Sequence, residues 1–195
     1  MSKTLSLLLL VVAALGVAAC GGSAKHSQGA SAGALSAEAK SAATGDIPDN
    51  QVFLTFSDRA AGYSMKYPEG WARTGPAHDV TFQDKSNIVH VVVSSGAAPS
   101  PQSVASELAR QRRTTPSLRA TAAPRMVRIK GTPEVKVVYT TRSKPNSVTG
   151  KRVLLVVDRY ELARSGKRAT VDLGTPKGVD NVDAYRLMID SFKWL

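Results

Sequence analysis

Few side chains in this sequence are placed to do chemistry, and the one thiol stands alone. Cys20 is the only cysteine in 195 residues. A thiol in an accessible stretch of chain is a nucleophile through its thiolate, and with no second cysteine no disulfide can form within a monomer. The three histidines are scattered. His26 lies in a Gly, Ala and Ser segment. His78 precedes Asp79, the composition of an acid-base pair or of a solvated loop. His90 falls inside the run Ile88 to Val93 and shares a strand face with Ile88 and Val92, the place of a hydrogen-bonded core or interface histidine. No pair of histidines has metal-binding spacing on one helix, and no Gly-x-Ser-x-Gly elbow or phosphate loop is present. The residues therefore predict no catalytic set, no cofactor site and no metal site.

The surroundings of Cys20 say what its thiol is for. Lys3 is followed by an apolar run of 15 residues, Leu5 to Ala19, broken only by Ser6 and Gly16. A helix needs about 20 apolar residues to cross a bilayer, so this run reads as a secretion signal covering residues 1–19. Its end, Val17-Ala18-Ala19-Cys20-Gly21, resembles the lipobox of bacterial lipoproteins. The small residues give a peptidase access to the backbone. The resemblance implies a diacylglyceryl group in thioether linkage on Cys20, cleavage after Ala19, and a place on the extracytoplasmic face of the cell membrane. Two acyl chains suffice for stable anchoring where one is marginal.

Charge is the other departure from an ordinary composition. The chain carries a formal net charge of +11. Between Ala105 and Arg152 stand twelve Lys and Arg against two acids, Glu107 and Glu134. Arg110, Arg112 and Arg113 fall at the end of a candidate helix, where the dipole favours cations. Arg128, Lys130, Lys136, Arg142 and Lys144 fall on or near candidate strands. Arg110, Arg113, Arg128, Lys130 and Lys136 are expected to form a basic face for an anionic lipid, wall polymer or protein partner. Solubility alone accounts for the charge equally well. Nucleic acid is not expected, because only Tyr139 is interleaved as an aromatic with the basic run.

The elements that must position these groups divide the chain in three: the signal 1–19, a tether over 20–49, and one domain over 50–195. Gly, Ala and Ser dominate the tether, and a flexible chain of some 30 residues spans on the order of 30 Å. Partial helix over Ala34 to Ala43 is the alternative there. In the domain, strand-forming runs occur at Val52–Ser57, Gly62–Tyr67, Val80–Gln83, Ile88–Ser94, Pro124–Lys130, Pro133–Arg142, Arg152–Glu161 and Arg168–Leu173. Ser100-Pro101 has the composition of a helix start, leading to Arg113. A second helix is predicted over Val179–Lys193, with Val182, Tyr185, Ile189 and Phe192 in one apolar stripe. Turns are predicted at Tyr67–Gly70, Ser143–Gly150 and Ser165-Gly166. The pattern gives an α+β class: an antiparallel β-sheet with packed helices and no staple of metal or disulfide.

Two stretches within that pattern carry a family resemblance. Phe56-Ser57-Asp58, followed by Gly62-Tyr63-Ser64-Met65-Lys66-Tyr67-Pro68-Glu69-Gly70-Trp71, is similar to the opening hairpin of the PsbP-like family. Met188-Ile189-Asp190-Ser191-Phe192-Lys193 resembles that family's closing helix. The family includes the extrinsic oxygen-evolving protein of photosystem II and Ran-binding proteins of the Mog type. The resemblance implies an α/β/α sandwich, whereas the residues alone make Trp71 a core side chain. Together these features predict a membrane-anchored, monomeric binding or accessory module that is not an enzyme. A carrier of a small apolar molecule and an enzyme with an unrecognised site remain as alternatives.

Overall fold

Alternation of apolar and polar residues produces the strands, and a few turn residues set their register. The computed structural model describes residues 33, 36, 37, 40, 44–146 and 148–195. The expected signal, Cys20 and His26 lie outside the described residues. Strands β1 (Phe53–Asp58), β2 (Tyr63–Pro68) and β11 (Lys193–Trp194) form a small antiparallel sheet in the order β1-β2-β11. The main sheet runs β3 (Ala72–Thr74), β4 (Asp79–Asp84), β5 (Asn87–Ser95), β10 (Lys167–Pro176), β9 (Leu154–Arg164), β8 (Thr132–Arg142), β6 (Arg119–Ala120). Strand β7 (Arg125–Ile129) pairs with the other end of β8.

Two helices cover the main sheet on opposite faces. α1 (Pro101–Thr114) starts as its composition predicts: the Ser100 side chain accepts from the Ser103 backbone, Ser103 answers reciprocally, and Pro101 opens the first turn. It lays Val104 and Leu108 on Val135, Val137, Tyr139, Leu155 and Val157. The opposite face carries the larger core, where the small sheet and α2 (Val182–Ser191) bury Phe56, Tyr63, Met65, Tyr185, Met188 and Ile189 against Val89, Val91, Leu162, Val171 and Leu173. Each such side chain contributes about 1.5–3 kcal/mol on full burial. The class is α+β, with the small sheet sharing the layer of α2. Trp71 is in this core, as expected.

The structure departs from expectation at its edges. The second helix covers only Val182–Ser191, because Lys193 and Trp194 leave it to pair with Ser64 and Tyr63. β3 and β6 are too short to show a period in sequence. The turn expected at Tyr67–Gly70 sits one residue later: the Trp71 N–H donates to the Pro68 carbonyl, and Gly70 takes φ 84° at the third position. Ser165 and Gly166 do form the β9–β10 turn, at φ 51° and 76°.

The packed unit also begins earlier than the tether boundary at residue 49. Ile47 is buried, and its N–H donates to Asn181 Oδ1 at 2.8 Å. The Gly45 carbonyl accepts from Asn87 Nδ2 at 2.5 Å and Asn181 Nδ2 at 3.1 Å, and Asn181 Nδ2 also reaches Thr175 Oγ1 at 2.8 Å. Asn181 precedes α2 yet makes no side-chain cap bond, since its amide is spent on this latch. Composition hides it, because one isoleucine supplies the apolar anchor. Further back, Gly33, Ser36, Ala37, Lys40 and Thr44 are helical and exposed, in keeping with the helical alternative for that stretch.

Candidate functional site

The five basic residues expected on one face are dispersed, and strand alternation is the reason. In the β7–β8 pair Arg125 opposes Lys136 and Arg128 opposes Pro133, so Arg128 and Lys136 point to opposite sides of the main sheet. Lys136 is half-buried and neutralised: its ammonium donates to Asp158 Oδ2 at 2.6 Å and lies 5.0 Å from the Tyr160 ring centroid. Arg128 donates to the Gly131 carbonyl at 2.7 Å within its own hairpin. Arg110 and Arg113 are exposed on α1. Lys130 stands at the β7–β8 turn with φ 48°.

The densest charge in the domain lies beneath α1, fully partnered. Arg159 grips both oxygens of Asp172 at 2.7 Å and donates to Gln111 Oε1 at 2.8 Å. Arg168 holds Glu107 of α1 through two bonds of 2.7 and 2.5 Å, and Glu161 at 3.0 Å. Thr170 Oγ1 donates to Glu161 at 2.7 Å. The hydrogen bonds from Arg168 hold the Glu107 carboxyl below its usual range. Burial instead pushes the Glu161 carboxyl up, against the pull of Arg168 and Thr170. No buried side-chain polar atom lacks a partner among the described residues. Two arginines thus tie α1 to β9 and β10, and removing one partner of such a pair costs about 3–5 kcal/mol. The arrangement staples the helix.

The histidine readings also separate. His78 is exposed, and Asp79 turns away from it to accept from His90 Nε2 at 2.7 Å. The register opposes Asp79 to Val92 and Thr81 to His90, which puts Asp79 and His90 on one face, diagonal to each other. His90 is thus hydrogen-bonded on the face of Ile88 and Val92, and it directly opposes Asp172 across β5 and β10. No three residues among those described form a metal-binding group.

Three pockets concern function. The first, 360 Å³, lies beside the small sheet and is lined by Thr55, Ser64, Lys66, Lys130, Ser191 and Lys193, with one carboxylate, Asp190. The second, also 360 Å³, shares Lys130 and contains Glu134 among Ile129, Leu162, Phe192 and Trp194. Burial pushes the Glu134 carboxyl up to about 7, although the Ala163 backbone N–H favours its ionised form. The third, 460 Å³, flanks α1 and is lined by Ala105, Leu108, Ala109, Leu118 and Pro124. It is apolar, but it opens beside the helix, because Val104 and Leu108 already fill the helix–sheet interface. Composition did not single out Lys66, Lys193 or Glu134. The outward alternation of Ser64 and Lys66 was readable, but their meeting with Lys130 was not.

No protein-family model matches the sequence, and no curated protein matches it. The fold is similar to that of the cyanobacterial PsbP (CyanoP) of Synechocystis sp. PCC 6803, solved in solution. The TM-score is 0.57 at 16% identity, over 77% of this chain and 98% of that one. A protein of Bacteroides thetaiotaomicron VPI-5482 has a TM-score of 0.45 at 14% identity, over 72% of this chain and 48% of its own. The Saccharomyces cerevisiae Ran-binding protein Mog1p has a TM-score of 0.45 at 10% identity, over 74% and 96%. The first of these gives the domain a PsbP-like fold.

Proposed function

We propose that this chain is an extracytoplasmic lipoprotein held to the cell membrane through Cys20, and that its PsbP-like domain is a non-enzymatic binding or accessory module for an anionic envelope component. One observation carries the binding half of the reading. Of the twelve basic residues between Ala105 and Arg152, Lys136 alone is ion-paired among the described residues, and every other one is exposed. The two acids of that stretch do not offset them at the surface: Glu107 is held by Arg168, and Glu134 is buried. The surface contributed by that stretch is therefore strongly basic, even though the expected five-residue face does not form. The anchoring half rests on the sequence around Cys20.

Mass spectrometry of the native amino end tests the anchor, with diacylglyceryl-Cys20 as the expected first residue. A mature chain starting elsewhere, or starting there without lipid, would refute it. For the domain, a chain beginning at Gly45 should bind anionic vesicles at low salt and release as ionic strength approaches 0.15 M, where the Debye length is about 8 Å. Reversing Arg110, Arg113 and Arg128 together should weaken binding on the order of 100-fold, at about 1 kcal/mol per charge. Binding indifferent to both salt and reversal would return the charge to solubility.

A further inference from the structure

Three lysines from distant parts of the chain line the first 360 Å³ pocket. Lys66 projects from β2 on the face of Ser64, opposite Thr55 of β1. Lys193 follows α2 and opposes Ser64 from β11. Lys130 arrives from the other sheet, at the tip of the β7–β8 hairpin. Its φ of 48° is a conformation that a lysine rarely takes and that the Lys130-Gly131 turn imposes. The floor is fixed. Ser191 Oγ accepts from the Lys66 backbone N–H at 2.7 Å and donates to the Met188 carbonyl at 2.5 Å, so the end of α2 is pinned to the edge of β2.

None of the three lysines is ion-paired among the described residues, and Asp190 is the only carboxylate lining the pocket. Like charges converging on a concave, hydroxyl-lined site repel one another unless an anion sits between them. Three lysines less one aspartate leave two positive charges, which a free phosphate or phosphomonoester, at about −1.5 to −2 near neutral pH, balances in full and a singly charged lipid phosphodiester balances in part. Lysine binds phosphate as a point charge, and hydroxyls such as Thr55 and Ser64 can donate beside it. We propose that Lys66, Lys130 and Lys193 form a binding site for a phosphate group, presented either by an anionic lipid headgroup or by a free phosphate compound. This deepens the binding-module reading by naming the chemistry recognised, and it rests on that reading.

Residue-by-residue lysine modification tests the site, using the full-length chain in nonionic micelles and peptide mapping. The probes are inorganic phosphate, micelles doped with phosphatidylglycerol, and sodium chloride at matched ionic strength. Lys66, Lys130 and Lys193 should be protected together, while exposed Lys144 and Lys151 should not. Protection by inorganic phosphate assigns a free phosphate source, and protection only by phosphatidylglycerol assigns a headgroup. Lys130→Asn removes the charge with a residue that suits a positive φ. It should raise the phosphate or lipid needed to protect Lys66 and Lys193 by about tenfold, the loss of one charge-assisted hydrogen bond. Protection equalled by chloride, absent with both phosphate probes, or unchanged in Lys130→Asn would overturn the site. Vesicle binding by the Gly45 chain that survives while protection fails would sink the pocket alone. Protection that persists when such binding ignores salt would keep the pocket and remove the broader surface.

Discussion

Replacing Glu134 by glutamine should stabilise the protein at alkaline pH and do little at acid pH. Glu134 is 6% exposed, set among Ile129, Leu162, Phe192 and Trp194, and its carboxyl is raised from 4.5 to about 7. The folded state thus binds a proton that the unfolded state has released, so stability falls as pH rises from about 4.5 through 7. A shift of that size costs about 3 kcal/mol once both states are ionised, and about 1 kcal/mol at pH 5. Glutamine keeps the shape and an acceptor for the Ala163 N–H but never ionises. The variant should therefore gain about 2–3 kcal/mol over the parent between pH 5 and 8, a difference in which other titrating groups cancel. Urea unfolding of both proteins at the two pH values, followed by circular dichroism, measures it. An equal gap at pH 5 and 8, or a variant less stable than its parent at pH 8, would show that burial does not govern this carboxyl.

The buried network and the amino-terminal latch give two further tests. Arg168→Ala leaves Glu161, 1% exposed on its side chain, without its cation and should cost about 3–5 kcal/mol in denaturant unfolding at pH 8. The loss should shrink at pH 5, where Glu161 can take up a proton; a loss independent of pH would count against the ion-pair account. Asn181→Ala frees the Ile47 N–H and removes one of the two bonds to the Gly45 carbonyl, leaving that from Asn87, and should cost about 1–3 kcal/mol. In limited proteolysis that variant should be cut between Gly45 and Asn50 while the parent resists, and equal cutting would mean that the latch does not hold.

Local chemistry accounts for what the sequence disclosed correctly. The long strands could be read because alternation such as Tyr63, Met65, Tyr67 against Ser64, Lys66 is a property of neighbouring residues. The same holds for the start of α1, written in Ser100-Pro101, and for the Ser165-Gly166 turn. Trp71 could be assigned to the core for a similar reason, as the large apolar residue that follows a strand and a turn. The charge excess was also plain, since counting needs no geometry.

Where those charges point was decided only by the fold. Register put Arg128 and Lys136 on opposite sides of one sheet and spent Lys136 on Asp158. It also set Asp79 beside His90 and away from its sequence neighbour His78. β11 exists because β2 offers a free edge to residues that follow a helix stripe, so the sequence alone extends that helix to Lys193. The Asn181 latch joins residues 134 and 136 positions apart. The sequence by itself determined the strand and helix periods, the α1 cap, the net charge and the motif around Cys20, because each depends on adjacent residues. Tertiary structure alone decided which carboxylates are buried, which cations are free and which lysines share a pocket. Those depend on side chains that only packing brings within a few ångströms of one another.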